Sequence, residues 1–554
     1  MLGSPRTRFF VALYALVAIS GTLLTYLPQT SNSVVPRSTQ AAAHAPARPG
    51  PTSAAVSAPA PLARPTLRAK AAPPVLHQSA TPQPSALPLV AAAPVMPGTT
   101  TDLYTVKPGE SLESISFRYL PRTVFMTTGE LEDAIRQANP ALSGAHLHPG
   151  QQVLIPGIES GPIVEHPRPD AKEAEVRAIY LTGWTAGSAR GLSLIRRWKA
   201  AGGNAICFDI KDFDGQVTVS FDHPLAPRRA PLIRNLSKFI RFMHQLDLHV
   251  IARIALFRDE NIAKNHPELA VQSRRSGGPW RENGKQVWTD PSRREVQDYN
   301  IALARRAAAA GADEIQFDYV RFPAEGDQED ATFQFESEPV EAPPAADSAT
   351  PAPASTPPRW TRSRVITEFL KRAHAEIRAT GAMLSLDVFG VMAWERPVDL
   401  AHTGQRIDEM ARYCDVLSPM IYPSHFFGMD GYARPGDAPE HFIGESMTRF
   451  REITAGSGVI IRPWLQAFAW RTPSYSPDYV VTQVSISNQK GGLGYLFWNA
   501  NNDYSKPFAA MPALMGMTRR RETVKAEGKE RAAGELPAVA AAPEPAIEIK
   551  TNFE

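Results

Sequence analysis

Between Asp313 and Pro323 the chain reads Asp-Glu-Ile-Gln-Phe-Asp-Tyr-Val-Arg-Phe-Pro (313–323), and the fold follows from how that stretch is taken. Glu314–Val320 has the composition of a buried strand, yet it carries Asp318 in its apolar run. Alternation with period two puts Gln316 and Asp318 on one face and Tyr319 on the other. A carboxylate in such a place is costly unless it is paired or functional. Just upstream, Glu295–Ala310 has helical spacing and ends at Gly311, the use of glycine expected at a left-handed helix cap. One helix, one glycine and one strand ending in a polar residue make a unit, and the unit recurs in both directions.

The other strands read from the sequence are Val176–Thr182, Asn204–Ile210, His249–Leu256, Met383–Val388, Val416–Ile421, Ile460–Leu465 and Gly494–Trp498. Helical stretches such as Leu232–Leu246, Arg364–Thr380 and Glu440–Ile453 separate them, and Gly202-Gly203, Gly381 and Gly491-Gly492 again precede strands. Eight β/α units over residues 175–516 predict an α/β fold, a (β/α)8 TIM barrel. A doubly wound open sheet would bring a glycine fingerprint after its first strand, and Thr182-Gly183-Trp184-Thr185-Ala186-Gly187 does not supply one. The acidic, Ala/Pro-rich stretch from about 324 to 360 reads as a disordered insertion after strand four, and 517–554 as a disordered tail.

Outside the barrel the chain changes character. Arg6 and Arg8 precede an uncharged apolar run, Phe9–Leu27, long enough to span a bilayer. A small-residue cleavage site fits at Ala18-Ile19-Ser20 but apolar residues continue past it, so residues 1–27 read either as a signal peptide or as an inner-membrane anchor. Both readings export the rest of the chain, to the periplasm or cell envelope. Residues 28–101 hold many of the 51 prolines and read as a disordered, stiff linker. Residues 102–157 then give strand, helix, helix, strand: Leu103–Val106, Ser111–Leu120 with Ser111 as cap, Glu130–Ala138, and Val153–Pro156.

This βααβ stretch resembles the lysin-motif (LysM) family through Tyr104-Thr105-Val106-Lys107-Pro108-Gly109-Glu110-Ser111-Leu112, Asn139-Pro140 and Pro149-Gly150-Gln151-Gln152-Val153-Leu154-Ile155-Pro156. The resemblance implies binding of N-acetylglucosamine-containing polymers, chiefly peptidoglycan or chitin. An extra stretch around Pro121–Thr128 departs from the family pattern.

Composition narrows the chemistry. Lys plus Arg (59) nearly balances Asp plus Glu (56) in 554 residues, which gives no field directed at nucleic acid. Two cysteines, Cys207 and Cys414, make no disulfide framework, and Cys207 lies in an apolar run as a buried thiol would. No cluster has metal-ligand spacing and no glycine-rich phosphate loop occurs, so no cofactor and no metal is expected. Asp212-Phe213-Asp214-Gly215 reads as a turn.

In a barrel the loops after the strands form the active site. Asp209, Asp318 and Asp387 sit at such strand ends. Neighbouring strands lie about 4.8 Å apart, so Asp318 and Asp387 can approach as the carboxyl pair that glycosidic hydrolysis needs. Asp318 is expected as nucleophile or charge stabiliser and Asp387 as its partner, with Glu395 the alternative acid. Asp209, Lys211, Arg321, Tyr422, His425, Trp464, Trp498 and Asn499 are candidate substrate-binding residues; Asp209 with Lys211 reads equally as a structural ion pair. Aromatic residues near strand ends suit sugar faces, while others among them fill the rim.

The 313–323 stretch, with Ile179-Tyr180-Leu181-Thr182, Phe208-Asp209-Ile210-Lys211, Asp387-Val388-Phe389-Gly390 and Ser418-Pro419-Met420-Ile421-Tyr422-Pro423, resembles a bacterial family of glycoside hydrolase-like TIM barrels once catalogued as a domain of unknown function. That resemblance implies a barrel related to polysaccharide-cleaving enzymes. The expectation is an exported envelope glycoside hydrolase with a polysaccharide substrate, held at peptidoglycan by the LysM module. A wall-binding protein that holds glycan without cutting it is the alternative, and the oligomeric state is left open.

Overall fold

The computed structural model describes residues 98–142, 147–168, 175–337 and 360–518. The apolar run 9–27, the linker up to 97, the insertion from 338 to 359 and the tail from 519 lie outside the described residues. No helix among the described residues is long and apolar enough to cross a membrane.

The first element pair is β1 (Thr99–Thr105) antiparallel to β2 (Gln152–Glu159), with α1 (Leu112–Tyr119) and α2 (Thr128–Ala138) between them in sequence. Both helices start at capping boxes: Ser111 with Ser114, and Thr127 with Glu130. Val106, Ile115, Leu131, Ile135, Val153 and Ile155 form their core. Asn139 fastens α2 to β2, donating to Ile135 O at 2.7 Å and Leu154 O at 2.8 Å and accepting from Leu154 N at 2.8 Å. The extra stretch between the helices runs beside β2, where Val124 N donates to Gly157 O at 2.9 Å. Gly157 is needed there, since a Cβ would lie 2.7 Å from the Phe125 ring and φ is +71°.

The barrel consists of β3 (Arg177–Leu181), β4 (Ala205–Lys211), β5 (His249–Ala255), β6 (Glu314–Asp318), β7 (Met383–Phe389), β8 (Val416–Ile421), β9 (Trp464–Gln466) and β10 (Tyr495–Trp498). Each pairs in parallel with the next, and β10 pairs with β3, so the sheet closes. Around it lie α3 (Ala189–Ala200), α4 (Leu236–Gln245), α5 (Arg294–Ala309), α6 (Arg362–Arg378), α7 (Pro439–Ile453) and α8 (Pro477–Gln489), with a further helix over 505–518. After β7 only short helical turns occur.

The larger core packs helices on the outer face of the strands, and a smaller cluster including Tyr180, Cys207, Ile251, Trp464 and Leu496 fills the interior. Polar groups are layered inside as well. Arg462 Nη1 reaches Glu314 Oε2 at 2.8 Å and His249 Nε2 lies 3.0 Å from the same oxygen; farther up, Gln316 accepts from the Cys207 thiol at 3.2 Å and donates to Ser418 at 3.3 Å. Burial holds that thiol well above the usual cysteine range.

Residues 324–337 correct the expectation of a disordered insertion opening at 324. Ala331–Thr332 pairs with Gln272–Ser273, Asp330 accepts from the Ser273 hydroxyl at 2.8 Å, and Trp280 Nε1 donates to Asp327 O at 3.1 Å. The loops after β5 and β6 thereby join into one small lobe. The βααβ module contacts the barrel through α4: Lys238 Nζ donates to Leu120 O at 2.8 Å, and Arg241 pairs with Glu159 at 3.1 Å and Glu165 at 2.7 Å.

Candidate active site

A cleft of about 1420 Å³, counted out to its open mouth, lies at the C-terminal ends of the strands. Asp318 ends β6 and Asp387 lies in β7; both line the cleft and both are buried. Arg253, from β5, sits between them. Its guanidinium pairs with Asp318 through Nη2 and with Asp209 through Nη1, and its Nε lies 3.5 Å from Asp387 Oδ2. One cation thus serves three carboxyls on three strands. Asp209 also accepts from the Tyr180 hydroxyl, and Asp387 accepts from Trp464 Nε1 at 2.7 Å.

The two cleft aspartates differ in setting. Burial pushes the Asp387 carboxyl well above the usual carboxylate range, the charge of Asp318 adds to this, and Arg253 opposes it. Asp318 accepts from the backbone N–H of Tyr319 at 2.6 Å. Tyr319 itself has φ of +52°, a left-handed conformation that costs a non-glycine residue about 1 kcal/mol or more and that recurs at functional sites. Asp212 also lines the cleft, its carboxyl raised to about 7 by burial and by Asp209.

The expected sugar-binding residues divide. Arg321, Tyr422, His425, Trp464 and Trp498 all line the cleft. Tyr422 packs on Trp498 at a centroid distance of 5.8 Å, and burial lowers His425 to about 3, so its ring is neutral. The other three, Asp209, Lys211 and Asn499, are placed elsewhere, as is the alternative acid Glu395. Glu395 is exposed, at φ of +44° in the turn after β7, and does not line the cleft. Asp209 lies beneath the cleft floor rather than on it. Asn499 ties the loop after β10, donating to Ala467 O at 2.6 Å and accepting from Asn501 N at 2.8 Å.

Lys211 does not pair with Asp209. Pairing between β4 and β5 slips between those two residues, a bulge that absorbs one residue and turns Lys211 out of the barrel. There it is fully buried and donates to Asp259 at 2.7 Å, Asn300 at 2.9 Å and Leu256 O at 3.0 Å. Asp212-Phe213-Asp214-Gly215 is a turn, with Gly215 N donating to Asp212 O at 3.0 Å, and no cluster among the described residues could hold a metal ion.

Sequence reasoning passed over Arg253, Tyr180, Arg258, Glu282 and Glu325, which also line the cleft. Arg253 carried a readable signal, a charge inside the apolar run His249–Leu256, of the same kind that marked Asp318. Glu325 lay in the stretch taken for an insertion.

Residues 178–504 match the family described as "Putative glycosyl hydrolase domain", and residues 104–156 match the LysM domain. The chain belongs to that glycosyl hydrolase family and carries a LysM domain ahead of its barrel. A 58-residue stretch is 45% identical to a putative L,D-transpeptidase YkuD of Bacillus licheniformis, covering 10% of this chain and 30% of that protein. Among solved structures, the chain is similar to a hypothetical protein of Ruminiclostridium thermocellum, at 31% identity over 38% of this chain and 97% of that one with a TM-score of 0.30. It is also similar to the glycoside hydrolase domain of PgaB (BpsB) from Bordetella bronchiseptica, at 16% identity over 61% and 98% with a TM-score of 0.44.

Proposed function

We propose that this chain is an exported cell-envelope glycoside hydrolase that cleaves a polysaccharide and is held at peptidoglycan by its LysM domain. The observation that carries the reading is the pair Asp318 and Asp387, on neighbouring strands and joined through Arg253 at the floor of an aromatic-lined cleft. Glycosidic hydrolysis needs two carboxyls in opposite protonation states. Asp387, buried and raised, is the proton donor to the leaving oxygen. Asp318, beside Arg253, serves as the carboxylate that attacks or stabilises the oxocarbenium-like centre. Arg253 pairs with Asp318 through Nη2 and fixes its place beside Asp387. Tyr422, Trp464 and Trp498 offer ring faces to the sugar. Export rests on Arg6, Arg8 and the apolar run 9–27, and wall attachment on the LysM domain.

Reducing-end release from purified bacterial glycans, peptidoglycan included, tests the proposal. Wild-type protein should release ends from at least one polymer, and Asp318→Asn and Asp387→Asn should each lower the rate about 10²–10⁴-fold. No release from any glycan, with peptidoglycan pull-down intact, would replace the hydrolase with a glycan-binding protein.

A further inference from the structure

Two arginines in the cleft lack the counter-ion that burial ordinarily demands. Arg258 and Arg321 are 4% and 7% exposed, and both line the cleft. Among the described residues no carboxylate oxygen lies within 4.0 Å of either guanidinium. Arg258 donates one bond, from Nη1 to the Tyr319 hydroxyl at 3.1 Å, and its Nε has no partner. Arg321 donates from Nη1 to Phe322 O at 3.0 Å. What surrounds them instead is aromatic. Arg321 lies 4.6 Å from the centre of the Trp288 ring and 4.4 Å from that of Phe389, and Arg258 lies 4.3 Å from that of Phe213. Both guanidinium carbons come within 5.5 Å of the centre of one ring, that of Tyr319, the residue following Asp318.

A buried cation without a carboxylate or phosphate is costly. Stacking on rings holds a guanidinium in place and leaves its edge, where the N–H groups point, free to donate. The nearest acids do not meet the need. Glu282 already accepts from Trp288 Nε1 at 2.9 Å with one oxygen and from Glu325 N at 2.9 Å with the other. Glu325 accepts from Asn283 at 2.6 Å, and burial next to Glu282 raises it to about 8, so it is neutral at neutral pH.

We propose that Arg258 and Arg321 together receive a carboxylate carried by the substrate, so that the polymer cleaved is an acidic one whose charged sugar sits next to the bond above Asp318 and Asp387. This deepens the hydrolase reading and rests on it for the position of the scissile bond. A sugar carboxylate comes from two sources, a uronic acid or the lactyl ether of muramic acid, and both fit a fork of planar donors.

The test is binding to the full chain carrying Asp387→Asn, which replaces an acid held neutral by an amide of the same shape. The probes are oligogalacturonate and peptide-free peptidoglycan glycan strands, each beside its carboxyl-reduced counterpart, measured by titration calorimetry. At least one acidic probe should bind about tenfold to a hundredfold more tightly than its reduced form. Arg321→Gln and Arg258→Gln should erase that preference, and Arg321→Lys should retain part of it. Melting temperatures report whether each variant is folded; should a glutamine variant fail to fold, its lysine counterpart decides. Preference for uronate or for the lactyl form names the source. Equal binding of reduced and unreduced probes, no binding of either, or folded variants that keep the preference would overturn the proposal. Arginine-dependent binding without cleavage would overturn the hydrolase and leave this inference standing, whereas Asp318-dependent cleavage without charge preference would do the reverse.

Discussion

Replacing Arg253 with methionine would leave Asp209, Asp318 and Asp387 without their common cation in a buried space. Removing one side of a buried pair costs about 3–5 kcal/mol, because the charges left behind are uncompensated. Arg253→Met should lower the denaturant midpoint by a corresponding amount and abolish activity. Under the proposed roles, the pH profile would be set by Asp387. A carboxyl raised by burial donates its proton only below its folded pKa, so turnover should fall as pH rises through that value. In Asp387→Asn this alkaline limb should vanish from the residual rate. Glu325 gives a separate signature, in stability. Its folded pKa of about 8 lies above its unfolded value of 4.5, so its contribution is whole below the latter and is lost as pH rises through about 8. Melting temperatures across that window should slope downward for the wild type and less for Glu325→Gln. At this scale the acids were legible, because a charge interrupting an apolar strand is visible in one dimension. Arg253 and Arg258 escape that reading, and which of Asp209 and Asp387 lines the cleft depends on side-chain partners that spacing does not encode.

Strands and helices were read closely. The expected Asn204–Ile210 is observed as Ala205–Lys211, and Leu232–Leu246 as Leu236–Gln245. Apolar runs ended by glycine state these elements directly. Two features escaped. The bulge in β4 separates Asp209 from Lys211, and one inserted residue leaves no mark in a run that is apolar on both faces. The lobe that joins Gln272–Val287 to Ala331–Thr332 is built of two-residue strands, one pair far apart in sequence and the other a hairpin, all too short to show a local period. In the LysM domain a single residue joins elements. Asn139→Ala removes two hydrogen bonds to Leu154 of β2 and one to Ile135 O of α2, each worth about 1 kcal/mol. The variant should lose peptidoglycan pelleting while keeping hydrolysis of soluble glycan fragments.

Over the whole chain, the LysM domain is in contact with the barrel as well as joined to it by sequence. Burial lowers the Lys238 ammonium to about 8 where it meets Leu120 O, and Arg241 joins Glu159, Glu165 and Val164 O. Arg241→Ala should free the connecting segment and speed cleavage after Glu165 by a glutamate-specific endopeptidase, with rates on short soluble substrates unchanged. Nothing in the sequence foretold this contact, since its partners are solitary charges on surfaces that look independently solvated. It also alters what attachment to a wall does. Under the proposed function, a strand caught by a swinging domain would enter the cleft at many offsets, whereas one caught by a domain held at Lys238 and Arg241 would enter at one. The binding module would then work as a ruler, and the length of the released fragments would become a property of the fold.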